Sequence, residues 1–130
     1  DAFGQVVYLG GRGPQLGILE DPIRMTFEAG QLTDLTGGTA ARRLQAILDA
    51  ADDQALKLGE LGLGTNPAAR DIGHVENKFR RNTAHIALGD NHLIGWRGAD
   101  VYGGTIVSNR HIDLVANGIT IHIDGTPWQF

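Results

Sequence analysis

Thr83-Ala84-His85-Ile86-Ala87-Leu88-Gly89 is the stretch on which the reading of this chain turns, together with His111-Ile112-Asp113 further on. Both are apolar runs interrupted by side chains that ligate metals. In an extended strand alternate side chains share a face, so His111 and Asp113 point one way while Ile112 and Leu114 fill the other. His85 completes a set of two imidazoles and one carboxylate. Such a set suits zinc with an open position, or a non-haem iron facial triad with exchangeable sites opposite the protein ligands.

Working outward, strands alternate with glycine turns after Thr83: Ala84 to Leu88, Val101-Tyr102, Thr105 to Val107, His111 to Val115 and Ile119 to Ile123. Asp124-Gly125 then turns the chain into Pro127-Trp128. Before Thr83, Leu58 to Leu63 is a glycine-interrupted apolar strand around Glu60, and Asn66-Pro67 turns away from it. Ala68 to Arg70 reads as the start of a short helix, and His74 to Asn82 is polar and carries no periodicity. Thr39 to Ala51 repeats Ala40, Ala41, Leu44, Ile47, Leu48 and Ala51 at helical spacing, with Thr39 as the expected N-cap. At the start, Val6 to Leu9 and Leu16 to Leu19 read as hairpin strands broken by Gly10 to Pro14, and Ile23-Glu28 and Leu32-Leu35 continue a meander. The fold class is therefore α+β, a mostly antiparallel β-sheet domain with one long helix and room for short ones.

The 130 residues, 42% hydrophobic and 20% charged, suit a single domain spanning 1–130. A net charge of -4 and the isolated pairs Arg42-Arg43 and Arg80-Arg81 give no basic stripe, which argues against nucleic acid. No run approaches the ~20 apolar residues of a membrane span. The chain has no cysteine, so a metal must be held by nitrogen and oxygen, and the cytoplasm is the default location. Asp1 opens the sequence without an initiating methionine, as in a fragment or a reduced version of a longer protein. Gly62-Leu63-Gly64 matches neither a Walker loop nor a Rossmann fingerprint, and no serine sits in a nucleophile elbow.

Glu60 lies where burying an ionised carboxylate is costly without a partner, and a metal is a sufficient one; the competing reading is an edge strand with Glu60 facing water. For His85 the competitor is a core histidine bonded to a backbone carbonyl, and for His111 with Asp113 an exposed edge-strand face. Glu76, nine positions before His85, is a candidate general base on metal-bound water, unless it pairs with Lys78 or Arg80. His92 is a candidate extra ligand or acid–base group, and Tyr102 a candidate hydrogen-bond donor to a substrate oxyanion.

On these residues the chain resembles the C-terminal part of the aminopeptidase T family of metallopeptidases. Gly59-Glu60-Leu61-Gly62 is similar to that family's Gly-Glu motif, Thr83 to Gly89 to its histidine strand, and His111-Ile112-Asp113 to its final His-x-Asp pair. The resemblance implies Glu60, His85, His111 and Asp113 as ligands of divalent zinc, cobalt or manganese, and Glu76 as catalytic base. It further implies a peptide substrate cut at its N-terminus, and a homodimer or a missing N-terminal portion to complete the site. His92 falls where such aminopeptidases carry a tyrosine. An upstream family glutamate has no counterpart here. A second resemblance, to ring-cleaving dihydroxypyridine dioxygenases, implies one ferrous ion held by His85, His111 and Asp113, with Glu60 beside them. The expectations are thus a metalloaminopeptidase-like hydrolase, alternatively an iron dioxygenase, or alternatively a non-catalytic dimerisation or peptide-binding domain.

Overall fold

The computed structural model describes residues 6–9, 11–13, 16–92 and 104–128. Its strands are β1 (Val6–Leu9), β2 (Gly11–Gly13), β3 (Gly17–Ile18), β4 (Ile23–Glu28), β5 (Gln31–Thr36), β6 (Leu58–Gly64), β7 (Thr83–Gly89), β8 (His111–Asn117), β9 (Ile121–Ile123) and β10 (Thr126–Trp128). Helix α1 spans Thr39–Asp49, a 3₁₀ turn Asp53–Leu56, and α2 His74–Phe79. Every strand pair is antiparallel, in a three-stranded sheet ordered β1-β4-β5, a five-stranded sheet ordered β3-β2-β8-β7-β6, and a separate β9-β10 hairpin. This is the α+β, mainly antiparallel architecture expected. Among the described residues no helix is long and apolar enough to cross a membrane.

Period-two alternation explains the core. Ile23, Met25 and Phe27 of β4 are buried while Arg24 and Glu28 are exposed, and they meet Ala41, Leu44 and Leu48 from one face of α1. Ile86 and Leu88 of β7 and Ile112 and Leu114 of β8 close the same core from the five-stranded sheet. The opposite face of that sheet therefore carries Thr83, His85 and Ala87 beside His111, Asp113 and Val115. Helix α2 lies on that second face: Thr83 Oγ1 donates within reach of the carbonyls of Asn77 and Arg80, and α2 packs on β6, β7 and β8.

Several local expectations give way to tertiary packing. Gly38, not Thr39, is the N-cap of α1, and Thr39 Oγ1 accepts from the Arg42 guanidinium instead; a Cβ at position 38 would run into the Asp21 carboxylate. Gly11–Gly13 is a strand rather than a break, pairing with β3 and β8, so β1 is free to pair with β4. No helix forms at 68–70, where Asn66 Oδ1 accepts from the Ala68 N–H in a side-chain turn. Residues 105–107 form no strand, because Ile106 spends its backbone groups on Asn91.

Candidate metal centre

The register of β6, β7 and β8 builds the centre from one rung. Glu60 on β6 and Asp113 on β8 both lie opposite Ala87 on β7, one on each side. His85 is two residues from Ala87 along β7, and His111 two residues from Asp113 along β8, so all share one face. Ala87, fully buried, contributes only a methyl group between the flanking side chains.

Glu60 reaches this face because of a β-bulge. Leu58 pairs with Leu88 but Glu60 with Ala87, so Gly59 is an extra residue and the alternation of β6 changes sides across it. Without the bulge, Glu60 would share the core-facing side with Leu58. Position 59 must be glycine: a Cβ there would collide with the Gly89 carbonyl oxygen. The Asn91 side chain pins the bulge, donating to the Gly59 carbonyl at 3.0 Å while accepting from the Ile106 N–H at 2.8 Å.

The donor atoms converge. His85 Nε2 is 2.7 Å from Glu60 Oε1, His111 Nε2 is 3.4 Å from Glu60 Oε2 and 3.5 Å from Asp113 Oδ1, and ligand atoms of Glu60, His85 and Asp113 all lie within 4.8 Å of one another. Two donors each ~2.1 Å from one ion lie roughly 3.0–3.4 Å apart between right-angled and tetrahedral geometry. The pairs that include Glu60 or Asp113 bracket that range; the group whose ligand atoms all lie within 4.8 Å is Glu60, His85 and Asp113, and His111 joins it through Glu60 and Asp113. His111 Nδ1 is 2.6 Å from the backbone carbonyl of Asp90; it must donate there, which leaves the Nε2 lone pair aimed at the carboxylates, the arrangement typical of ligating histidines. Nδ1 of His85 is buried and finds no hydrogen-bond partner among the described residues. The donor set, nitrogen and oxygen without sulfur, fits a divalent cation.

Lys78 is the member of this cluster that the sequence did not reveal. Its Nζ lies 2.8 Å from Asp113 Oδ1, and both side chains are largely buried. Burial alone would raise the Asp113 pKa, but hydrogen bonds from His111 and Lys78 and their charges outweigh it and hold the carboxyl well below the usual range. The hydrogen bond from His85 lowers the Glu60 pKa against the opposing effect of burial, helped by the charge of Lys78. The hydrogen bond to Asp113 raises the His111 pKa, with burial opposing it and the Asp90 carbonyl adding to it.

His85 bonds a carboxylate, not a backbone carbonyl. β2 covers β8 only at Val115 and Ala116, but the Asp113 side chain is 10% exposed and that of His111 31%, both turned to the cluster rather than to water. β6 is an edge strand, yet the Glu60 side chain is only 20% exposed and turned to the histidines. Glu76 stands apart from the group: its Oε1 accepts from the Arg70 N–H and lies 3.8 Å from Arg70 Nε. Two residues on, Lys78 points the other way, as helical geometry requires. His92 is outside the ligand group, its Nδ1 paired with the Asp90 carboxylate; Asp90 thus touches His92 through its side chain and His111 through its carbonyl. Tyr102 lies outside the described residues. One signal of the bulge was legible, namely that the apolar residues of Leu58-Gly59-Glu60-Leu61-Gly62-Leu63 change parity between Leu58 and Leu61. Nothing in the polar run 74–82 marked Lys78.

The fold and site define an α+β domain whose central strands gather histidine and carboxylate side chains of a kind that can hold a metal ion. Residues 12–128 match the family described as NicX, 2,5-dihydroxypyridine 5,6-dioxygenase, and the chain belongs to that family. Among solved structures it is similar to the 2,5-dihydroxypyridine dioxygenase from Pseudomonas putida KT2440, with a TM-score of 0.76 and 18% identity, over 95% of this chain and 38% of that one. The chain thus spans well under half the length of that relative. No curated protein matches. Membership of the aminopeptidase T family is overturned by this match, and with it the hydrolase, aminopeptidase and metalloprotease readings and the peptide substrate. The ordered Glu, His and His-x-Asp elements that carried that resemblance are carried here by a dioxygenase-family chain. The peptidase resemblance's case for zinc, cobalt or manganese falls with it, and the zinc that the donor set alone suits finds no support in the family match.

Proposed function

We propose that this chain forms part of a ring-cleaving dioxygenase that holds one ferrous ion through His85, His111 and Asp113 and acts on a dihydroxylated pyridine. The observation that carries the reading is the rung Glu60–Ala87–Asp113 flanked by two histidines, in a chain of a dioxygenase family. Two imidazoles and one carboxylate are the ligand set of non-haem ferrous oxygenases. When bound, the ion would supply the redox chemistry that lets dioxygen and ring react.

The chain's own residues do the positioning. Asp90 holds the proton on His111 Nδ1 through its carbonyl and so keeps Nε2 available. Lys78 orients Asp113 by a 2.8 Å charge-assisted hydrogen bond. Glu60 Oε1 lies against His85 Nε2 and keeps that ring turned into the group. The ring lies over Gly62, whose missing side chain is the space the imidazole fills. The buried Ala87 and Val115 close the floor against water from the core side.

The test is dioxygen uptake with 2,5-dihydroxypyridine after anaerobic loading with ferrous ion. Coupled loss of dioxygen and of the ring's absorbance is expected, and its abolition in His111→Ala. A loaded chain that consumes neither would contradict the reading.

A further inference from the structure

Lys78 does more in this cluster than a surface ion pair would. Its ammonium is largely buried, 2.8 Å from Asp113 Oδ1, on α2, which lies across the ligand-bearing face of the sheet. The helix is fixed there independently of the ion pair. Thr83 Oγ1 bonds the carbonyls of Asn77 and Arg80, Arg80 bonds Asn77 Oδ1 and Asn117 Oδ1, and Asn77 is fully buried. Val75 and Phe79 of the same helix face solvent while Asn77 is buried, and Lys78, between Asn77 and Phe79, reaches from the flank of the helix to Asp113. Its charge bears on both carboxylates, Glu60 as well as Asp113.

A divalent ion with two neutral imidazoles and the carboxylates of Glu60 and Asp113 sums to zero. Lys78 makes the loaded site singly positive. In a partly buried site an uncompensated charge is costly, so a ligand that brings one negative charge is favoured over a neutral one.

We propose that Lys78 is a specificity-determining residue, whose ammonium leaves the metal-loaded site one negative charge short and selects an aromatic substrate bound as its singly ionised hydroxyl form. This rests on the ferrous reading of the site given above. At an effective dielectric of about 20, a unit charge some 6 Å from an anionic oxygen is worth on the order of 100-fold in affinity, and solvent exposure reduces that toward 10-fold.

The experiment compares wild type, Lys78→Met and Lys78→Arg, each loaded anaerobically with ferrous ion. The anionic probe is 4-nitrocatechol, followed by the absorbance of its ionised form, and the neutral probe is nitric oxide, followed by electron paramagnetic resonance. Lys78→Met is expected to bind 4-nitrocatechol 10- to 100-fold more weakly, with nitric oxide affinity within about threefold of wild type and ferrous ion bound more tightly, since the same charge repels the cation. Lys78→Arg, which keeps the charge, should stay within about threefold on both probes. If Lys78→Met binds 4-nitrocatechol like wild type, or loses ferrous ion so that Lys78 merely holds Asp113 in place, the inference is overturned while the ferrous reading stands. A wild type that takes up no ferrous ion overturns both.

Discussion

Gly62→Ala is the substitution that tests the site's construction most sharply, because it adds one methyl group and changes nothing else. Gly62 pairs with His85 across β6 and β7, and its backbone is not in the left-handed region. Alanine therefore carries no backbone strain there, and on unfolded-state entropy alone it would stabilise by ~0.4–1 kcal/mol. The added Cβ, however, would sit 2.7 Å from His85 Nδ1 and closer still to Nε2 and Cε1. Ordinary contact needs about 3.5 Å or more, so the ring must move by about 1 Å or more. His85 is only 6% exposed, so the shift is made inside a packed environment, at a cost of about 1–3 kcal/mol. Metal constellations tolerate only about 0.5 Å of misplacement, and the expected loss of ferrous affinity is at least about 10-fold. Thermal unfolding of the metal-free protein and chelator competition for ferrous ion read the two effects separately. In the double variant Gly62→Ala, His85→Ala the clash is gone, and the double-mutant cycle should return a coupling of about 1–3 kcal/mol. A Gly62→Ala protein with wild-type stability and wild-type metal affinity would refute the packing of His85 over this strand.

Further outcomes follow from the same geometry. Ala87→Leu enlarges the side chain at the centre of the rung and should abolish metal uptake while costing about 1–3 kcal/mol of stability, read by elemental analysis and thermal unfolding. Asn91→Ala frees the Gly59 carbonyl and the Ile106 N–H together; a loss of about 1–3 kcal/mol with weakened ferrous binding is expected, and hydrogen exchange should rise at residues 58–60. Metal affinity should tighten as pH rises, because the raised pKa of His111 means that a proton competes with the ion to higher pH than for a free imidazole. The metal-free protein behaves oppositely at that group: the stability from His111 is fully present below its unfolded pKa of about 6.5 and is lost as pH rises through the raised value. Asp113, with its pKa lowered, contributes stability above about pH 4 that is lost as pH falls, so acid unfolding of Asp113→Asn should show a shallower pH dependence.

What the sequence disclosed and what it hid divide along the range of the interactions. Strands β4, β7 and β8 and helix α1 were legible because each has an apolar face at its own period, as Ile23, Met25 and Phe27 show. The pairing of those strands was not, since Gly11–Gly13 looks like a turn until β8 supplies its partner. His85, His111 and Asp113 stood out as polar groups on apolar strands, and Glu60 as a carboxylate in a glycine-rich one. How Glu60 joins them depended on a one-residue bulge fixed by Gly59, Gly89 and Asn91, which lie on different segments. Lys78 and Glu76 are two residues apart in an unpatterned segment. Only the docking of α2 decides that Lys78 enters the site while Glu76 pairs with Arg70. The motifs also fit a peptidase resemblance as well as a dioxygenase one, and it took the match over residues 12–128 to separate them.

Ferrous uptake under anaerobic conditions is the most direct measurement of the central claim. The site described here should bind about one iron per chain, and His85→Ala, His111→Ala and Asp113→Asn should each bind none while keeping the far-ultraviolet circular dichroism of the wild type. Stoichiometric iron retained by all three variants, or none bound by the wild type, would contradict it.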